Sequence, residues 1–216
     1  MEDFKSVKNE LQNIIEGKSG SRESNPIQAA KAYLRNHTQS SGENKGSKPD
    51  RPEEEGALKQ YARENGLFIE KSGLGVFITS GAEQKIFYKE NDTTLFKIAD
   101  AIFYRTWEDY LNNLLLHNYF FTDTAYTLVG FLEDEDRFYA VVKQQFVLLT
   151  EKTDLDSIKR YLLANGFTHK KNNDYYHPYL GVILEDLHDE NVLTSDGVLF
   201  FIDTVFYLTE AFYTSK

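Results

Sequence analysis

The chain has no cysteine. That excludes a disulfide framework and any thiolate-ligated metal centre. Nor does its N-terminus carry a long apolar run, so neither a secretory signal nor a membrane span is expected, and a cytoplasmic location fits. Positive charge is scarce, and the net charge is −10. Residues 1–55 hold 9 basic and 10 acidic side chains, whereas residues 56–216 hold 15 and 24, so the acidity lies in the globular part. A nucleic-acid partner needs a basic surface to neutralise phosphates, and this chain offers none. A nucleotide site stays open, because one lysine and a divalent cation can neutralise a triphosphate locally. His169 and His177 lack the spacing of zinc ligands such as H-E-x-x-H.

Aromatic residues are plentiful at 14% of 216 residues, enough to fill the core of one medium domain with an appendage. Phe4, Val7, Leu11, Ile14 and Ile15 recur at helical spacing. Gly17–Ser24 breaks that helix, and Asn25-Pro26 opens a second one through about Asn36. These helices make residues 1–38 an N-terminal helical appendage for packing, self-association or partner binding. Residues 39–53 are rich in Ser, Gly, Asn, Lys and Pro and read as a linker. Residues 54–216 form the main domain. A helix over Glu54–Asn65 precedes short strands at Leu67–Glu70, Gly75–Thr79, Gln84–Lys89 and Thr94–Ile98. A helix over Phe103–Tyr119 follows, then strands Tyr126–Leu132 and Arg137–Val142 around the acidic tip Glu133–Asp136. Leu155–Asn165 is a helix capped by Asp154 or Thr153. The last part holds strands at Gly181–Leu184, Asn191–Leu193 and Val198–Ile202. This order is α+β and lacks the alternation of a doubly wound sheet.

The chemistry concentrates near the end of the chain. Asp186, Asn191 and Asp203 surround short strands, with Asp203 closing the apolar run Val198–Ile202. One carboxylate, Asp186, can orient a hydroxyl. Asn191 supplies a neutral oxygen, and Asp203 at a buried strand end calls for a partner such as a metal ion. That set suits ATP with magnesium. Lys97 sits among apolar residues in Thr94–Ala99, and reaching inward toward phosphates explains it better than solvation. Such a lysine needs a helix carboxylate. With Leu111 at the centre of the buried face, Glu108 lies about 60° away and Asp109 about 160° away, which favours Glu108. Gly81, Ala82 and Glu83 form a candidate turn over the phosphates, with Gly73-Leu74-Gly75 as a rival. Gln144 and Gln145, within Lys143–Phe146, are either a hinge whose backbone meets adenine or an ordinary strand exit. His188 is placed to touch phosphate, metal or Asp186.

With these residues in place, residues 67–207 resemble the protein-kinase-like fold, in particular the kinase domain found in bacterial polyvalent proteins of phages and mobile genetic elements. The resemblance rests on Gly81–Gln84, Phe96-Lys97, Trp107–Leu111, His117-Asn118, Gly130-Phe131, Val142–Gln145, Asp174–Tyr176, Leu184–Leu193 and Phe201–Phe206. Asp186-Leu187-His188 with Asn191 is also similar to the loop of aminoglycoside and choline phosphotransferases. The resemblance implies a minimal two-lobed protein-kinase-like fold with a truncated C-terminal lobe. It implies ATP and magnesium, with Lys97 paired to Glu108 and touching phosphates, Asp186 orienting the acceptor hydroxyl, and Asn191 and Asp203 binding the metal. The sequence departs from the usual pattern in Leu184-Glu185-Asp186 and in Asp203-Thr204-Val205. With 13 residues after Asp203, no activation segment or large helical lobe is expected. The acceptor is a protein hydroxyl or, as the runner-up, a small molecule. A pseudokinase acting as a nucleotide-sensing interaction module is the rival from another class.

Overall fold

The computed structural model describes residues 3–18, 25–40, 51–81 and 83–214. In chain order it holds helices α1 (Phe4–Glu16), α2 (Pro26–Ser40) and α3 (Arg51–Glu64), then strands β1 (Val76–Ser80), β2 (Gln84–Tyr88) and β3 (Thr94–Ala99). Helix α4 (Trp107–Phe120) precedes the hairpin β4 (Thr127–Asp134) and β5 (Arg137–Gln145), followed by α5 (Leu155–Ala164). Strands β6 (Thr168–His169), β7 (Tyr175–His177), β8 (Val182–Glu185), β9 (Val192–Ser195), β10 (Val198–Phe201) and β11 (Val205–Leu208) lead to α6 (Glu210–Tyr213). The class is α+β, with strands paired antiparallel in every sheet. The chain forms two compact units. A sheet unit comprises Gly20–Leu114 and Tyr126–Phe146, and a loop unit comprises Met1–Ser19, Leu115–Ala125 and Val147–Lys216. Helix α1 thus falls in the loop unit and α2 in the sheet unit.

The sheet unit is built on five strands in the order β1-β2-β3-β5-β4. Side chains alternate across a strand, so Phe96 and Ile98 point to one face. There they pack with Leu74, Phe87, Leu132, Tyr139 and Val141. Leu95, Lys97 and Ala99 point to the other face, beside their register partners Gln144, Val142 and Ala140. Phe138 shares that second face by its parity with Ala140. Trp107 of α4 packs edge-on to it with ring centroids 5.3 Å apart. Helix α4 therefore lies on the sheet face to which Lys97 belongs.

Gly130 shapes the outer strand. The register slips between Leu128 and Gly130, and Phe131 N donates to Leu67 O at 2.8 Å. Gly130 has φ 156°, and a Cβ there would lie 2.2 Å from Leu67 O. The segment expected as a strand at Leu67–Glu70 makes only a single parallel bridge, Phe68 to Phe131, before a short 3-10 turn at Lys71–Leu74. The acidic hairpin tip closes at Glu135 and Asp136, both left-handed, at φ 50° and 61°. Helices α2 and α3 bury Ile27, Ala30, Leu34, Leu58 and Ala62. The linker expected over 39–53 falls largely outside the described residues, as does most of the break at Gly17–Ser24.

The loop unit contains a four-stranded sheet, β11-β8-β7-β6, and the two-stranded hairpin β10-β9. Asp154 caps α5 by accepting from Asp156 N and Ser157 N. Helix α1 buries Leu11 and Ile15, and Lys8 Nζ donates to Ala211 O at 2.6 Å and Thr214 O at 2.8 Å. Strands β6 and β7 carry no clear apolar alternation and go unanticipated. Their turn was nonetheless written in Asn172-Asn173, both left-handed at φ 55° and 62°.

Candidate functional site

In the loop unit, a short hairpin assembles three of the expected site residues. Asp196 and Gly197 adopt left-handed φ of 49° and 79°, which closes a two-residue turn between Ser195 and Val198. The ladder from that turn pairs Phe201 with Val192 and so brings residue 203 back to residue 191. Asn191 O accepts from Ile202 N at 2.9 Å and from Asp203 N at 3.3 Å. On its other side, Asn191 Nδ2 donates to Asp186 O at 2.8 Å and Asp186 Oδ2 at 2.9 Å. The amide nitrogen therefore faces Asp186, which leaves Asn191 Oδ1 as the acceptor end of that side chain. Asp186, Asn191 and Asp203 therefore form one local constellation.

Asp186 itself is left-handed, at φ 63°. Non-glycine residues adopt that region at a cost, and Asp is among the few that tolerate it. His188 Nε2 lies 3.3 Å from Asp186 Oδ1 and 3.1 Å from Asn191 Nδ2. Asp174 Oδ1 accepts from Asp186 N at 3.4 Å. Burial, reinforced by the charges of Asp174 and Asp186, pushes the Glu185 carboxyl above its ordinary range. Among the described residues, no group of three His, Cys, Asp or Glu side chains is arranged to hold a metal ion. A site with Asn191 Oδ1 and Asp203 as its protein ligands would leave the remaining positions to phosphate oxygens and water, which suits magnesium.

In the sheet unit, Lys97 is 2% exposed and its Nζ lies 5.5 Å from the centre of the Tyr126 ring. β3 is an interior strand, with β2 on one side and β5 on the other, so an edge lysine pointing to water does not describe it. Strand β5 outlasts β4. The last β4 pair is Thr127 with Lys143, while Gln144 and Gln145 pair onward with Leu95 and Thr94 of β3. Gln145 is exposed and Gln144 is buried. Gly81 N donates to Gln84 O at 2.9 Å, closing the β1–β2 turn next to Glu83. Ala82 falls outside the described residues.

Helix α4 differs from the expected Phe103–Tyr119 in starting four residues later. Arg51 of α3 explains the delay. Its guanidinium donates to Ala101 O at 2.5 Å, to Tyr104 O at 2.9 Å and to Asp100 O, holding residues 100–104 as a turn. Glu54 Oε2 then accepts from Trp107 N at 2.6 Å, and Thr106 Oγ1 from Asp109 N at 3.0 Å, which starts the helix. Tyr110 through His117 are buried on every side of the helix. A single face centre at Leu111 is therefore a poor guide, and Glu108 and Asp109 have similar side-chain exposures of 32% and 36%. The Glu108 carboxylate accepts from Arg35 Nε at 2.7 Å and lies 3.6 Å from Lys31 Nζ, both on α2. Sequence reasoning missed this engagement. Lys31 and Arg35, one helical turn apart, were its only signal.

Two groups here titrate near neutrality. Burial holds the Lys31 ammonium down at about 7, helped by Arg35 and opposed by Glu108. Burial raises the Glu54 carboxyl to about 7, against the hydrogen bond from Trp107 N and with the repulsion of Glu108 and Asp109.

The α+β fold and the terminal carboxylate–amide–carboxylate loop are compatible with a small kinase-like domain. Residues 51–210 match the family described as serine/threonine/tyrosine kinase found in polyvalent proteins, and the chain belongs to that family. No curated protein matches the chain. Among the described residues, no helix is long and apolar enough to cross a membrane.

Proposed function

We propose that the protein transfers the γ-phosphoryl group of ATP to a hydroxyl, using magnesium. The observation that carries this reading is the Asp186–Asn191–Asp203 constellation, in which each member is tied to Asn191. Asp186 orients the acceptor hydroxyl and takes its proton. The acceptor oxygen bonds to the γ-phosphorus, the bond from that phosphorus to its bridging oxygen breaks, and ADP leaves with the electron pair. Lys97 neutralises phosphate charge, and Glu108 is the carboxylate assigned to position that lysine. Gly81, Ala82 and Glu83 cover the phosphates, while Gln144 and Gln145 meet the base. A magnesium ion held by Asn191 Oδ1 and Asp203 would supply neutralisation of the triphosphate. The acceptor is a protein side-chain hydroxyl.

Two contacts favour a second reading, a nucleotide-sensing interaction module. Asp186 already has Asn191 and His188 at its two oxygens, and Glu108 is already engaged by α2. Both readings require nucleotide binding. With ATP and magnesium at 100 times the dissociation constant, binding stabilises the fold by about 2.7 kcal/mol, seen as a higher Tm. No shift at millimolar nucleotide rejects both. Transfer of labelled phosphate by the wild type, lost in Asp186→Asn, selects the enzyme. Equal incorporation by the two proteins rejects Asp186 as the base.

A further inference from the structure

We infer that His117 is a positioning residue for Asp203, acting through the hydroxyl of Thr204. This rests on the reading of Asp203 as a metal ligand. The geometry lies wholly within the loop unit. His117 is 0% exposed near the end of α4, and its Nε2 lies 2.9 Å from Thr124 O. A carbonyl oxygen only accepts, so Nε2 carries the hydrogen. In the neutral ring Nδ1 is then the acceptor, and Thr204 Oγ1 donates to it at 2.7 Å. Thr204 is 1% exposed, so this hydroxyl is shielded from bulk solvent.

The other end of the same turn is pinned from the same source. Thr124 Oγ1 donates to Phe201 O at 2.5 Å, and the Phe121 ring stacks on Phe201 with centroids 4.1 Å apart. Residues 201 and 204 are thus both fixed by the segment 117–124, and Ile202 and Asp203 lie between them. Asn191 O fixes the two intervening amides. After Thr204 the chain enters β11, which pairs with β8 from Val205 onward. The backbone that carries the Asp203 carboxylate is therefore held on four sides, and His117 supplies a buried side-chain contact to the residue next to it. Loss of a polar group that orients a metal ligand typically costs about 10–100-fold in metal affinity or activity.

Thr204→Val removes the hydroxyl while keeping the side-chain shape, and Thr204→Ser restores it. The full chain is titrated with manganese in the presence of ATP, and the metal concentration giving the half-maximal rise in Tm is read. The expected result is an increase of about 10-fold or more for Thr204→Val and wild-type behaviour for Thr204→Ser. ATP binding without metal is unchanged in both. Asp203→Asn removes the metal-dependent rise. If Thr204→Val titrates like the wild type, His117 and Thr204 are structural only and the inference falls. If Thr204→Ser behaves like Thr204→Val, the hydroxyl is not the link and the inference also falls. If the wild type gives no metal-dependent rise, Asp203→Asn is silent too, and the metal-ligand reading falls together with the inference. Only the last outcome touches the proposed function.

Discussion

The two units prepare their candidate groups in opposite ways. In the loop unit, Asp186, Asn191 and Asp203 come from one short stretch, and they are tied to each other by a hairpin whose turn is set by Asp196 and Gly197. In the sheet unit, Lys97 is buried on an interior strand, and Glu108 is held by cations from a helix more than 70 residues earlier. The first arrangement is local and only partly buried. The second is assembled from α2, α3, α4 and the sheet. Changes to the loop unit should therefore alter chemistry with little effect on folding, and changes to the sheet unit should alter folding first.

The largest effect is expected at Asp186. Asp186→Asn keeps the size of the side chain and should lower phosphoryl transfer by about 10²–10⁴-fold, the range for loss of a positioned base. Its Tm and its nucleotide-induced shift should stay close to wild type, because the side chain is exposed. A Tm fall of many degrees would break the contrast between the units.

Trp107→Ala tests the other side. Trp107 is 0% exposed and packs on Tyr110 and Phe138. Truncation of such an aromatic costs about 3–5 kcal/mol, measurable by denaturant unfolding. A loss below about 1 kcal/mol would mean that α4 is not anchored as described.

The same contrast explains what could be read from the sequence. The Asp186–Asn191–Asp203 stretch was legible as a neighbourhood because its residues are close in sequence, and turn chemistry and an apolar strand suffice to bring them together. Lys97 was legible in direction, since a lysine among Leu95, Phe96, Ile98 and Ala99 has few reasons to stay there. The surroundings of Glu108 were not legible. A wheel drawn on one helix assumes one solvent-facing side, and α4 has almost none over Tyr110–His117. The partners at and before its first turn, Lys31, Arg35, Arg51 and Glu54, lie on helices far away in sequence, and pairing across such distances leaves no periodic trace. His117 is the same kind of case: its two bonds run to Thr124 and Thr204, and spacing alone does not connect them.

A medium-sized effect should appear in the pH dependence of stability. The Glu54 carboxyl is raised from 4.5 to about 7 in the folded chain. Between those values the folded state keeps a proton that the unfolded state has released, so stability falls as pH rises through this window. The Lys31 ammonium is lowered from 10.5 to about 7. Above about 7 the unfolded state holds the extra proton, so stability rises with pH up to 10.5. Together these groups predict a minimum of Tm near neutrality. Asp92, lowered to about 2 by Thr94 and Lys143, acts only below 3.8 and leaves this window alone. Glu54→Gln should flatten the acid side and Lys31→Met the alkaline side. A Glu54→Gln profile identical to wild type would show that this carboxyl does not titrate where its burial places it.

The smallest effect is expected at Arg35. Its ion pair with Glu108 is short, but side-chain exposures of 29% and 32% leave both partners in contact with water. Pairs of that kind contribute about 0.2–1 kcal/mol, so Arg35→Ala should lower stability by no more than that. Two further readouts give the small change meaning. Arg35 is one of the groups that lower the Lys31 ammonium, so its removal should move the alkaline limb of the stability profile to higher pH. Glu108→Gln removes the negative charge from the same contact and leaves the buried Lys31 without that counter-charge, and it should cost more than Arg35→Ala. If Arg35→Ala is the costlier of the two, the buried ammonium is not what makes this contact matter, and α2 holds α4 through packing alone.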